Sequence, residues 1–364
     1  MFVSSRAATR LFGFAMVGAF VAGCGTSTVE LGSAEGDVDP DPAVTADAVA
    51  TSSTTTAGAN STTSTSTSST TTVPAVLPEL VVDETGVPVN GQTRGVLLTD
   101  TGWVTPILSG LPDGRHRVWT PCGRQADIGG GRVVFDTDIV IDPGHGGSEP
   151  GAVGVDGLAE KDLNLAVSRR IRDALLEAGY TAVLTREGDD RVPIVTRAEI
   201  GRALDPVAFL SVHFNAGTDA PSPTPGTEMY HQIDRPDSRR LAGLLYEEAR
   251  AVLDRYDVAW VALSDAGTMV RPNRDGDDYY GVLRRPGPVT SVLLEFAYLS
   301  NPPEERLVSD PAVQDALASS VVEAVTRYLQ TDDPGSGFVD DPIFRGYGPS
   351  GAGRTDDCVD PALE

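Results

Sequence analysis

The stretch Asp138-Ile139-Val140-Ile141-Asp142-Pro143-Gly144-His145-Gly146-Gly147 decides the fold. Its first four residues include a β-branched run that reads as a buried strand. Pro143 and Gly144 break that strand, and Gly146-Gly147 supply a backbone able to bend around a ligand. A helical pattern follows over 160–177, with Leu163, Ala166, Val167, Ile171, Ala174 and Leu175 on one stripe and Gly179 as the stop. The alternation then continues outward. Strand-like runs at 181–185, 207–212, 227–232 and 289–295 are interleaved with helical patterns at 195–203, 238–253 and 311–329. This order predicts an α/β domain over 135–331: an open, twisted, mostly parallel sheet with helices on both faces. Active sites in such sheets gather beyond the carboxyl ends of the strands.

Two of the four histidines fall at such ends. His145 follows the first strand, and His213 ends the apolar run Phe209-Leu210-Ser211-Val212. Glu160 opens the helix between them. Read alone, it is an acid that favours the helix dipole. With the two histidines it completes a His/Glu/His set that suits zinc with one position left open for a water or substrate. Glu295 ends Ser291-Val292-Leu293-Leu294 and precedes Phe296-Ala297, so a carboxylate is placed among residues that favour burial. Such a group is either paired with an arginine or held as a proton carrier with a raised pKa.

The flanking regions are of other kinds. In residues 1–24, Arg6 and Arg10 precede an apolar run too short to span a bilayer comfortably, the order of an export signal. Val21-Ala22-Gly23-Cys24 resembles a bacterial lipobox, which implies a lipid on Cys24 and a membrane-anchored protein. The alternatives are a plain signal peptide or an uncleaved anchor with Cys24 incidental, and all three place the rest of the chain outside the cytoplasm. Residues 25–78 are dominated by Ser, Thr, Ala and Gly and are expected to be a disordered tether. As a flexible coil it would reach on the order of 40 Å. Residues 79–134 read as a small all-β segment, with short runs such as 80–82, 96–98 and 116–119 separated by turn residues. Residues 332–364 read as an acidic, irregular tail. Once Cys24 is set aside, Cys122 and Cys358 remain; in an exported chain they either form one disulfide or stay as free thiols. The net charge of −24 argues against a nucleic-acid partner.

Four motifs, in order, carry a resemblance: 142–147 (Asp-Pro-Gly-His-Gly-Gly), 160–164 (Glu-Lys-Asp-Leu-Asn), 211–216 (Ser-Val-His-Phe-Asn-Ala) and 294–301 (Leu-Glu-Phe-Ala-Tyr-Leu-Ser-Asn). Together with Thr185-Arg186, Arg197, Gly226 and 280–284 they resemble the zinc-dependent N-acetylmuramoyl-L-alanine amidases of the type-3 amidase family. The resemblance covers about 135–331 and implies a phosphorylase/hydrolase-like fold. It implies zinc on His145, Glu160 and His213, with Glu295 as catalytic acid/base. The implied substrate is peptidoglycan, cut between the lactyl group of N-acetylmuramic acid and L-alanine. Asn215, Arg186 and Arg284 are candidate substrate contacts, arginine being suited to bidentate recognition. Phe214 stands where the family has a small residue, and Ala297 where it has glycine. The stretch between His213 and Glu295 is too short for the inserted blocking helix of some relatives. The rival readings are a zinc peptidase acting on stem peptides and a non-catalytic cell-wall-binding protein of the same fold.

Overall fold

The structure, a computed structural model, describes residues 93–216, 226–258, 267–340 and 358–364. The export signal, Cys24, the tether and the strand-like run at 80–82 lie outside these residues. Among the described residues no helix is long and apolar enough to cross a membrane.

Five short strands come first: β1 (Val96–Leu98), β2 (Val104–Gly110), β3 (His116–Trp119), β4 (Gln125–Ile128) and β5 (Arg132–Val134). They form an antiparallel sheet in the order β4-β3-β2-β1-β5. The α/β part follows. It comprises β6 (Ile139–Pro143), α1 (Glu160–Glu177), β7 (Ala182–Leu184), α2 (Ile194–Leu204), β8 (Ala208–Asn215), β9 (Glu228–His231), α3 (Pro236–Leu253), β10 (Gly267–Met269), α4 (Gly281–Arg284), β11 (Ser291–Tyr298), α5 (Pro302–Val308) and α6 (Pro311–Gln330). The six-stranded sheet has the order β10-β9-β11-β8-β6-β7. Every neighbouring pair is parallel except β9 with β11. The expected mostly parallel α/β sheet, preceded by an all-β segment, is the observed fold.

The central strands β6, β8 and β11 are buried along most of their length, which explains their near-continuous apolar sequences. Helix α1 starts at Glu160, where the acidic first turn complements the dipole, and buries Leu163, Val167, Ile171 and Leu175. These side chains share one core with residues of α3, α6 and one face of the sheet. The opposite face is covered by α2, α4 and the small β-sheet. Val96 and Val104 pack in a single cluster with Val140, Val183, Ile200 and Phe209. Gly95 N–H donates to the Ala203 carbonyl, and Thr196 Oγ1 donates to the Pro121 carbonyl. The all-β segment therefore supplies a covering layer of the α/β core, although the change of sequence pattern near 134 suggested a boundary.

The tail is partly ordered by both sheets. Residues 337–339 run along β10 with backbone hydrogen bonds to Thr268, covering that edge of the large sheet. Cys358 is disulfide-bonded to Cys122, and Leu363 enters the core of the small sheet.

Candidate metal and catalytic site

The register of the central strands builds the site. Adjacent parallel strands β6, β8 and β11 end at the same edge of the sheet, with Pro143 opposite Val212 and His213 opposite Glu295. His145 lies just beyond β6 with φ of 58°, a left-handed backbone that the glycines around it help to accommodate.

That loop is held from beneath. Asp142 is fully buried and accepts hydrogen bonds from Thr185 Oγ1 at 2.5 Å, Ser211 Oγ at 2.8 Å and Arg197 Nη1 at 2.8 Å. Burial opposes its charge, but Arg197 and the two hydroxyls outweigh it and hold the carboxyl below its usual range. Arg197 also donates to the carbonyls of Pro143 and His145. Arg186 was expected at the substrate; its side chain instead lies inside, 2% exposed. It donates to the carbonyls of Pro143, Gly144, Lys161 and Gly188. Its planar fork fits converging carbonyls, and with its donors so directed it acts as a brace for the loop and not as a surface contact.

His145, Glu160 and His213 converge. Glu160 Oε2 lies 3.2 Å from His145 Nε2, and Oε1 lies 2.9 Å from His213 Nδ1. One ligand atom from each of the three lies within 4.8 Å of the others, a group that could hold a metal ion. The imidazole rings meet edge to face with centroids 5.0 Å apart. Further donors fix the carboxylate: Ala152 N–H at 2.7 Å, Phe214 N–H at 3.3 Å and Asn164 Nδ2 at 3.3 Å. Burial opposes ionisation of Glu160, but the hydrogen bonds to both histidines outweigh it and keep it anionic. Burial also pushes the His213 pKa down, so the ring is neutral and has a lone pair to offer. A carboxylate and two imidazoles are the donor chemistry of zinc. The backbone leaves room for nothing bulkier. A Cβ on Gly144 would sit 2.1 Å from the His213 ring, and one on Gly151 would sit 2.3 Å from Glu160 Oε2.

Glu295 faces this group from β11. It is 8% exposed, and its Oε2 has no hydrogen-bond partner. Burial first, then the charges of Glu160 and Glu228, push its carboxyl well above the usual range, while Arg271 pulls the other way. Glu228 is the register neighbour of Glu295 on β9 and is fully buried. It accepts from Asn215 Nδ2 at 2.9 Å and from the hydroxyls of Tyr230 and Tyr298. Arg271 donates to the Tyr230 and Tyr280 hydroxyls. Of this network, Asn215 was singled out from the sequence, and Tyr280 and Tyr298 only as parts of motifs; Glu228, Tyr230 and Arg271 were missed. Glu228 opens a short strand of mixed polarity, Glu-Met-Tyr-His, and so lacks the apolar run that marked Glu295.

A cleft of about 340 Å³ opens over the site. His145, Glu160, His213 and Glu295 line it, with Asn215, Tyr279 and Arg284 among the other walls. Asn215 and Arg284 thus lie on the cleft wall, and Arg284 Nη1 is anchored on the carbonyls of Asp278 and Tyr279. Phe214 is buried against Phe296, so this departure from the family pattern is accommodated in the core.

Residues 139–327, just over half of the chain, match the model of the Amidase_3 family, described as N-acetylmuramoyl-L-alanine amidase. The chain belongs to this family. It is 30% identical over 223 residues to the N-acetylmuramoyl-L-alanine amidase AmiC of Neisseria meningitidis, covering 53% of this chain and 53% of that protein. It is 30% identical over 234 residues to AmiA of Escherichia coli, covering 56% and 78%. Among solved structures, AmiC2 of Nostoc punctiforme is similar at 30% identity with a TM-score of 0.45, over 53% of this chain and 96% of that one. The chain thus spans about half the length of the Neisseria protein.

Proposed function

We propose that the protein is a zinc-dependent N-acetylmuramoyl-L-alanine amidase that cuts the amide between the lactyl group of N-acetylmuramic acid and L-alanine in peptidoglycan. The observation that carries this reading is the pairing across β8 and β11: a His/Glu/His group beside a buried carboxylate with an unpartnered oxygen, in one cleft. His145, Glu160 and His213 hold the zinc, whose bound form supplies Lewis acidity to the amide carbonyl and to a water. Glu295 removes a proton from the attacking water and returns it to the leaving L-alanine nitrogen as the C–N bond breaks. The products are a lactyl carboxylate on the intact sugar and a free amino group on the stem. Its buried setting matches the proton affinity of Glu295 to that double task. Asn215 and Arg284 orient the stem from the cleft wall. The lipobox-like sequence at Cys24 supports an envelope location with the enzyme tethered to the membrane.

Glu295→Gln is expected to keep zinc and lose activity by at least ~10²-fold, the usual worth of a general acid/base. His145→Ala and His213→Ala are expected to lose both. Metal analysis, with digestion of purified peptidoglycan, measures these outcomes. New N-terminal L-alanine with undamaged glycan supports the amidase. Cleavage inside the stem identifies a peptidase, and no cleavage by a zinc-loaded chain identifies a binding protein.

A further inference from the structure

Helix α5 carries two adjacent glutamates, Glu304 and Glu305, and neither has exposed surface. Asn301 caps the helix by accepting from the Glu304 N–H. A glutamate at this position of a capped helix commonly reaches back to its own N-cap. Here both carboxylates reach away from the helix and accept backbone N–H groups of other segments. Glu304 accepts from Gly226 at 2.9 Å and from Tyr298 at 2.7 Å. Glu305 accepts from Asp156 at 2.9 Å and from Leu158 at 3.1 Å.

The two pairs of donors belong to different halves of the site. Tyr298 lies three residues beyond Glu295, where the pairing of β11 with β8 shifts register. Gly226 precedes Thr227, whose hydroxyl donates to the Glu295 carbonyl. Glu304 thus closes a ring around the backbone of the base. Asp156 and Leu158 belong to the turn closed by Gly154 N–H to the Leu158 carbonyl. That turn leads from Ala152 to Glu160, which exchange hydrogen bonds with each other. Glu305 thus fixes the segment that presents the central metal ligand. The fit is close, since a Cβ on Gly154 would lie 2.1 Å from the Glu305 carboxyl.

We propose that α5 is a clamp with two separable arms, Glu304 positioning the base Glu295 and Glu305 positioning the metal ligand Glu160. This rests on the zinc amidase reading above. Both glutamates are positioning residues, since each acts through backbone it holds and not on the substrate. A buried carboxyl whose two oxygens each accept a backbone N–H is hard to replace. Glutamine offers one acceptor and sets an NH₂ against the second donor.

The test uses the full chain with zinc. Zinc affinity is measured by competition with a chromogenic chelator, and kcat and KM are measured on soluble muropeptide. Glu305→Gln is expected to weaken zinc binding about 10-fold or more, as loss of an outer-shell partner does. Its kcat at saturating zinc is expected to stay close to that of the unaltered chain. Glu304→Gln is expected to keep zinc affinity and lower kcat about 10-fold or more with KM little changed, because the base is misplaced by a fraction of an ångström. Gly154→Ala pushes on Glu305 from the loop side and is expected to weaken zinc binding in the same way. It decides the matter should Glu305→Gln fail to fold. Equal loss of zinc affinity and kcat in both glutamine variants overturns the proposal, as does undiminished zinc affinity in Gly154→Ala. The zinc titration needs no substrate. A chain that binds zinc and cleaves nothing therefore refutes the amidase reading while leaving the Glu305 arm measurable, and an unaltered chain that binds no zinc refutes both.

Discussion

At the scale of single residues, the site depends on charges that the interior tolerates only in company. Asp142 and Arg197 are both buried and bonded to each other. Removing one partner leaves the other uncompensated, which typically costs about 3–5 kcal/mol. Asp142→Asn is therefore expected to lose about that much stability, read from urea unfolding, and to loosen the His145 loop. The pH dependence has a definite sign. The Asp142 carboxyl is held below its unfolded value of 3.8. Its contribution is thus present above that value and is lost as the pH falls through the lower folded value. A stability profile that stays flat on acidification from pH 5 contradicts this role. That His145, His213 and Glu295 share one cleft was legible because each lies at or just beyond the end of an apolar run. Arg186 misled because a sequence shows that a guanidinium is present and not which carbonyls surround it.

At the scale of elements, long periodic segments and short apolar or β-branched runs such as 96–98 and 181–185 were readable, and elements with neither were not. The helix expected over 160–177 has those limits in the structure. Helix α5 went unnoticed because Pro302-Pro303-Glu304-Glu305 has no apolar stripe, and its Asn301 cap reads equally well as a turn. Strand β10, with three residues, carries no period at all. The loops, by contrast, announce themselves through glycine. Gly144 lies between β6 and His145, with the His213 ring where a Cβ would stand. Gly144→Ala is expected to abolish zinc retention while leaving the far-UV circular dichroism unchanged, because the added methyl collides with a ligand and not with the sheet. Retention of zinc at the unaltered level would show that β6 and β8 can part at little cost.

At the scale of the whole molecule, the small antiparallel sheet occupies a place where an α/β protein commonly has helices. Change of composition suggested a separate module, since hydrophobic pattern reports which residues are buried and not against what. Val96 and Val104 are buried against α2 and the large sheet. Deleting residues 93–134 is therefore expected to leave the 135–364 remainder aggregated or molten, detectable by dye binding and loss of near-UV signal. A soluble, zinc-binding remainder would show that this layer is dispensable.

The covalent link between Cys122 and Cys358 spans 236 positions, with the whole α/β unit between them. A ribosome must therefore complete every strand and helix of that unit before the earlier cysteine can meet its mate. An abandoned, shortened product carries an unpaired sulfhydryl on its small sheet, and the bond is in effect a receipt for a finished fold.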